Sequence, residues 1–160
     1  MKHVTLQLAF LAALAASLLF ASNVSAESRA YLNYNNLPSS GVALEGYCPV
    51  AYFKADKPLL GSEAHASTHK GVTYHFVSAD AKALFDADPD VYVPAYGGWC
   101  ATGMAMGDKF PVDPTNFKIV DGQLLLFLRN PNVDALELWD KGDEEKQLKK
   151  ASQHWDKVRS

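Results

Sequence analysis

Cysteine is scarce in this chain: its 160 residues hold two, Cys48 and Cys100, and no C-x-x-C pair. The spacing matches no zinc module, and the dithiol motif of disulfide oxidoreductases is missing. Basic clusters are also missing, and a net charge of −3 leaves nothing to hold a nucleic acid or an anionic membrane surface. Neither G-x-S-x-G nor H-E-x-x-H occurs, so the sequence offers no recognisable hydrolase or zinc-protease signature and an enzyme ranks last. Beyond the first twenty residues no apolar run approaches membrane-spanning length. No internal repeat and no low-complexity tract stands out.

What is present begins with an export signal. Lys2 and His3 precede an apolar run from Leu6 to Phe20, and Asn23-Val24-Ser25-Ala26 places small residues where signal peptidase cuts. Residues 1–26 are therefore expected to be a signal peptide. The run is short for a membrane anchor, and the product is expected to be periplasmic or secreted, with no membrane attachment after cleavage. The remainder suffices for one domain with a real core. In an oxidising compartment a Cys48–Cys100 disulfide is a natural pairing, and the loop it closes would stabilise by about 4 kcal/mol.

Residues 27–41 form a polar arm, expected to lie on the domain surface and to be pinned by Tyr31 and Tyr34. The domain proper, 42–158, is predicted to be α+β: a small antiparallel sheet with several short helices. Val50-Ala51-Tyr52-Phe53 reads as a short buried strand. A hairpin follows across 63–76, turning at Lys70-Gly71, with Val72, Tyr74 and Phe76 on one face and His75 on the other. Ser78 caps a helix over 79–87 whose stripe is Ala81, Leu84 and Phe85, stopped by Pro89. A short helix is expected in WCATGMAM. Asp113 to Asn116 reads as a turn, and a second hairpin over 117–128 turns at Asp121-Gly122. Its LLLFL run suggests burial on both faces. Two helices close the chain, one over 132–140 with Leu136 and Trp139, the other over 143–158 with Leu148, Ala151, Trp155 and Val158.

Tyr74-His75-Phe76-Val77-Ser78, then DPDVYVPAYGGWCATGMAMG, GYCPVAYF and VDPTNFKIVDGQLLLF, together with Ala151 and Trp155 in the last helix, resemble the YHS domain family. The form is the one found in exported bacterial proteins, and the resemblance covers roughly residues 42 to 158. It departs from the usual GYDPVAYF at Cys48. It also lacks the several cysteines of the metal-associated cousins.

Three chemistries compete for these residues. Thiolate and thioether ligands favour Cu(I), with imidazole as a companion, so Cys48, Cys100, His75 and Met104 are the candidate metal ligands and copper the first candidate ion. Alternatively Cys48 and Cys100 form the disulfide, no metal binds, and the methionines fill the core. In that case Tyr47, Tyr74, Tyr96 and Trp99 either line a pocket for a small apolar or aromatic ligand or pack in the core. The expected partner is thus a metal ion or a small molecule. His65 and His69, roughly 12 Å or more apart on an extended strand, do not share a metal and read as solvated surface, as does His154.

Overall fold

In the computed structural model the described residues are Arg29, Tyr31, Leu32 and residues 35–160; the expected signal peptide and Tyr34 lie outside them. The fold is α+β, with three two-stranded antiparallel sheets and short helices around them. No helix among the described residues is long and apolar enough to cross a membrane.

After the arm, a left-handed turn at Ala43–Gly46 leads into α1 (Pro49–Lys54), then the hairpin β1 (Ser62–His69) and β2 (Val72–Phe76). Helices α2 (Ala79–Ala87) and α3 (Pro89–Tyr92) follow. A second left-handed turn, Ala95–Gly98, opens the other half: α4 (Ala101–Met106), β3 (Asp113–Val120) and β4 (Gln123–Phe127). The chain ends with β5 (Arg129–Asn130), β6 (Val133–Asp134), α5 (Ala135–Asp140) and α6 (Glu144–Val158).

These halves are copies of one unit, a repeat that inspection of the sequence missed. Each runs left-handed turn, aromatic residue, cysteine at the N-cap, six-residue helix and bulged hairpin. The correspondence extends to single bonds. Cys48 N–H donates to the Leu59 carbonyl at 2.8 Å and Cys100 N–H to the Phe110 carbonyl at 3.1 Å. Val42 bridges Thr73 in parallel, as Pro94 bridges Leu124. Both hairpins carry a register shift at the same place, between Ser62 and Ala66 and between Asp113 and Phe117. Both turn through two positive-φ residues, Lys70-Gly71 and Asp121-Gly122, as a type I′ turn requires. Seven pairs are still identical, most of them tied to backbone geometry or the core: Ala43 and Ala95, Gly46 and Gly98, Cys48 and Cys100, Asp56 and Asp108, Lys57 and Lys109, Gly71 and Gly122, Phe76 and Phe127. One extra residue, Pro58, in the first copy breaks the spacing and helps to hide the rest.

Two cores result, and β4 serves both. Successive strand residues point to opposite faces. Leu124 and Leu126 pack with Cys48, Val50, Tyr52, Val72, Tyr74, Phe76 and Phe85, while Leu125 and Phe127 pack with Tyr96, Cys100, Met104, Trp139 and Ala151. The expected two-sided burial of LLLF therefore holds, because each face closes one core. On β2, Val72, Tyr74 and Phe76 fill the first core as predicted, and His75, the counterpart of Leu126, is half-buried on the other face. Tyr52 joins the halves: its buried hydroxyl donates to the Pro114 carbonyl at 2.8 Å, and its ring stands edge-on to Phe117 with centroids 4.9 Å apart.

Several expectations need correction. Residues 50–53 are helical, not extended: Pro49 starts α1 with its φ preset and Cys48 in extended geometry before it. A run of four apolar residues cannot by itself distinguish strand from buried helix. Leu84 is 45% exposed, so the buried stripe of α2 reduces to Ala81 and Phe85. Asp113 accepts from the Thr115 amide at 2.8 Å, as turn chemistry predicts, but does so within the bulge of β3. The helix expected over 132–140 begins at Ala135, where the Asp134 carboxylate accepts the Leu136 and Glu137 amides. His69 is half-buried rather than free surface: it meets Asp90 at 3.2 Å and packs edge-on against Tyr31 and Phe85. The Ser78 cap and the limits of α2 are as predicted.

Candidate ligand cleft between the repeated halves

The two left-handed turns are the unusual local feature. Leu44 (φ 56), Glu45 (φ 52) and Tyr96 (φ 54) occupy a region that costs an L-residue roughly 1–2 kcal/mol each, and Gly97 (φ 60) avoids that cost at one of four positions. The strain is held by Tyr47 N–H to the Leu44 carbonyl at 2.9 Å and by Trp99 N–H to the Tyr96 carbonyl at 3.2 Å. Each turn reverses the chain over its own hairpin and delivers a cysteine into its own core.

A cleft of about 230 Å³ lies where the halves meet. Ala43, Leu44, Val72 and Tyr74 come from the first copy, and Pro94, Gly97, Gly98, Val112 and Leu126 from the second. The arm closes one side with Asn35 to Pro38. Asn36 fixes it there: its backbone N–H donates to the Gly97 carbonyl at 2.8 Å and its side-chain amide to the Gly98 carbonyl at 3.0 Å. Tyr31 holds the arm as expected, against His69 and with the Lys70 ammonium 5.6 Å from its ring centroid. Among the described residues the cleft wall is apolar apart from Asn35, Asn36, Tyr74 and Glu45, and includes no lysine or arginine. Burial, followed by the neighbouring Tyr31 phenol, pushes Tyr74 far above the ordinary tyrosine range, so it stays neutral.

A second, more open cleft of about 510 Å³ lies on the far side of the arm. Tyr31, Lys70, Asp90, Tyr96, Trp155 and Arg159 are among its lining residues. Burial raises the Tyr96 phenol, and the nearby Ser152 side chain partly offsets the effect. Asn35, Pro94 and Gly97 line both clefts.

The expected metal ligands do not come together. Cys48 lies in the first core and Cys100 in the second, both buried free thiols and not at disulfide distance. The repeat explains this: they are counterparts, each N-capping the first helix of its own half. Met104 follows Cys100 by one helical turn, its amide bonded to the Cys100 carbonyl at 2.9 Å, and both are core. His75 sits outside that core beside Gly46. Among the described residues no three His, Cys, Asp or Glu side chains are placed to share a metal ion. Neither the shared copper site nor the disulfide has its geometry here.

Of the four expected pocket aromatics, Tyr74 lines the interlobe cleft and Tyr96 the second cleft; Tyr47 and Trp99 line neither. Trp99 instead lies under the Lys109 ammonium, 5.3 Å from its ring centroid. Asn35, Asn36, Glu45 and the prolines of the wall escaped sequence reading. The signal available was the pair Ala43-Leu44-Glu45-Gly46-Tyr47-Cys48 and Ala95-Tyr96-Gly97-Gly98-Trp99-Cys100. Compared with family models, with curated proteins and with solved structures, the chain finds no match in any of the three.

Proposed function

We propose that this protein is an exported, YHS-like binding module without catalytic activity that takes a small, flat, mainly apolar molecule into the cleft between its two repeated halves. The observation that carries this reading is the cleft itself. Its walls are supplied by both copies and are mainly apolar with few polar groups, as in ligand sites formed at internal interfaces. At about 230 Å³ it suits a ligand below drug size. Among the described residues Glu45 is the one charged residue on its wall. A neutral or cationic ligand with an N–H or O–H donor fits that wall, and an anion is disfavoured.

The test uses three fluorinated probes observed by fluorine NMR: 5-fluoroindole, 5-fluorotryptamine and 5-fluoroindole-3-acetate. The cationic amine should bind best and the carboxylate worst. Glu45→Gln should narrow that difference by two- to fivefold, the scale of an exposed charge pair. Val112→Trp, which places a ring in the cleft from a half-buried wall position, should abolish binding while the fold and melting transition persist. Equal binding of all probes to wild type and Val112→Trp would defeat the proposal.

A further inference from the structure

We infer that the Asn35–Pro38 segment is a movable strap over the ligand groove, latched by Asn36; the inference rests on the interlobe cleft being the binding site. Four observations converge on it. First, the strap lies between two clefts that both reach Asn35, Pro94 and Gly97, so its release would join them into one longer groove. Second, its polar attachment to the second turn rests on Asn36, while Leu37 packs, partly buried, against the first core. Asn36 makes one backbone and one side-chain bond to the carbonyls of the second left-handed turn, and residues 35–38 are only half-buried.

Third, the segment that follows is a surface turn, closed by the Gly41 N–H on the Pro38 carbonyl at 2.9 Å. Ser39, Ser40 and Gly41 are exposed, Gly41 has φ +72, and nothing lies within 4 Å of where its side chain would be. Fourth, the repeat isolates the latch as an addition. In the first copy the Gly46 carbonyl accepts from the Gly61 amide at 2.9 Å, a bond internal to that half. In the second copy the counterpart carbonyl of Gly98 accepts from Asn36 instead. The second turn thus offers two carbonyl acceptors to a primary amide and a backbone N–H, and the chain's own asparagine fills them. A ligand entering the cleft from the side that the arm closes requires the strap to lift.

The geometry supplies its own lock. A Cβ on Gly98 would stand 3.9 Å from the Asn36 Cβ, within the roughly 3.5–4.5 Å of natural disulfides, at the cost of a side chain at φ +80. Both native cysteines are buried and spare the chemistry. Asn36→Cys with Gly98→Cys, once oxidised, should slow 5-fluorotryptamine association at least tenfold, and reduction should restore the rate in the same sample. Asn36→Ala should tighten 5-fluorotryptamine binding several-fold. Equal association rates in the oxidised and reduced double variant would overturn the strap.

A ligand-free measurement separates this outcome from failure of the cleft reading. The Asn36 amide should exchange with deuterium at least a hundredfold faster than the ladder amides of β4, and Asn36→Ala should leave that ladder unchanged. Exchange of Asn36 at the rate of the β4 ladder would show that the strap opens only on global unfolding, and would refute it whatever the probes do.

Discussion

Removing one oxygen at Tyr52 tests whether the two copies are energetically joined. Tyr52 is 1% exposed, and its hydroxyl reaches across the interface to the Pro114 carbonyl. Burial raises its phenol well above the ordinary tyrosine range, so it remains a donor at any working pH. Tyr52→Phe keeps the ring and its edge-on contact with Phe117 but leaves a buried carbonyl without this donor. A typical intramolecular hydrogen bond contributes about 1 kcal/mol net, and an unsatisfied buried acceptor costs about 1–3 kcal/mol. The expected loss is therefore about 2 kcal/mol, read from the urea midpoint with an unchanged slope. An unchanged slope matters as much as the loss, because the slope reports the surface exposed on unfolding. Loss below about 0.5 kcal/mol, within the range of an inconsequential surface change, would refute the cross-lobe bond. A second transition would show instead that the halves unfold separately.

Further outcomes follow from the repeat and from the charge network. Glu45→Gly copies Gly97 into the first turn. It relieves an αL residue worth roughly 1–2 kcal/mol and adds unfolded-chain entropy of roughly 0.5–1 kcal/mol, so thermal melting should show neutrality to slight stabilisation. Leu44→Gly at the same backbone geometry should cost about 2 kcal/mol or more, since Leu44 packs in the first core. In acid, hydrogen bonds from Asn116 to Asp134, from Lys118 to Glu144, from Lys82 to Asp86 and from Lys70 to Asp90 hold those carboxyls below their ordinary values of 3.8 for Asp and 4.5 for Glu. Because the folded values are depressed, their stabilisation is full above the ordinary range and is lost as pH falls through the folded values. The melting temperature should be flat from pH 7 to 5 and fall below about pH 4, and Glu144→Gln should reduce that fall. A melting temperature independent of pH down to 3 would contradict the network.

The hairpins were legible because Lys70-Gly71 and Asp121-Gly122 are local turn chemistry flanked by period-two strands, and α2 because Ser78 is a local cap. The helix at 49–54 was not legible, since burial of Val50, Ala51 and Tyr52 on a core built largely from elsewhere decides its form. Cys48 and Cys100 stood out by composition, but their pairing did not follow from it. Their likeness comes from occupying the same place in two copies, which sets them in separate cores. The cleft lay beyond sequence reading because its wall is drawn mostly from aliphatic residues, prolines and glycines far apart in the chain, among them Ala43, Leu44, Val72, Pro94, Gly97 and Leu126. None of these carries a chemical signature in one dimension.

The central claim is that ligand binds between the copies, and backbone amide shifts on titration with 5-fluorotryptamine test it most directly. The account predicts shifts concentrated at Leu44, Glu45, Val72, Tyr74, Gly97, Gly98 and Leu126, drawn from both copies at once and absent in Val112→Trp. Shifts confined to one copy, or clustered around Cys48, Cys100 and His75, would contradict it.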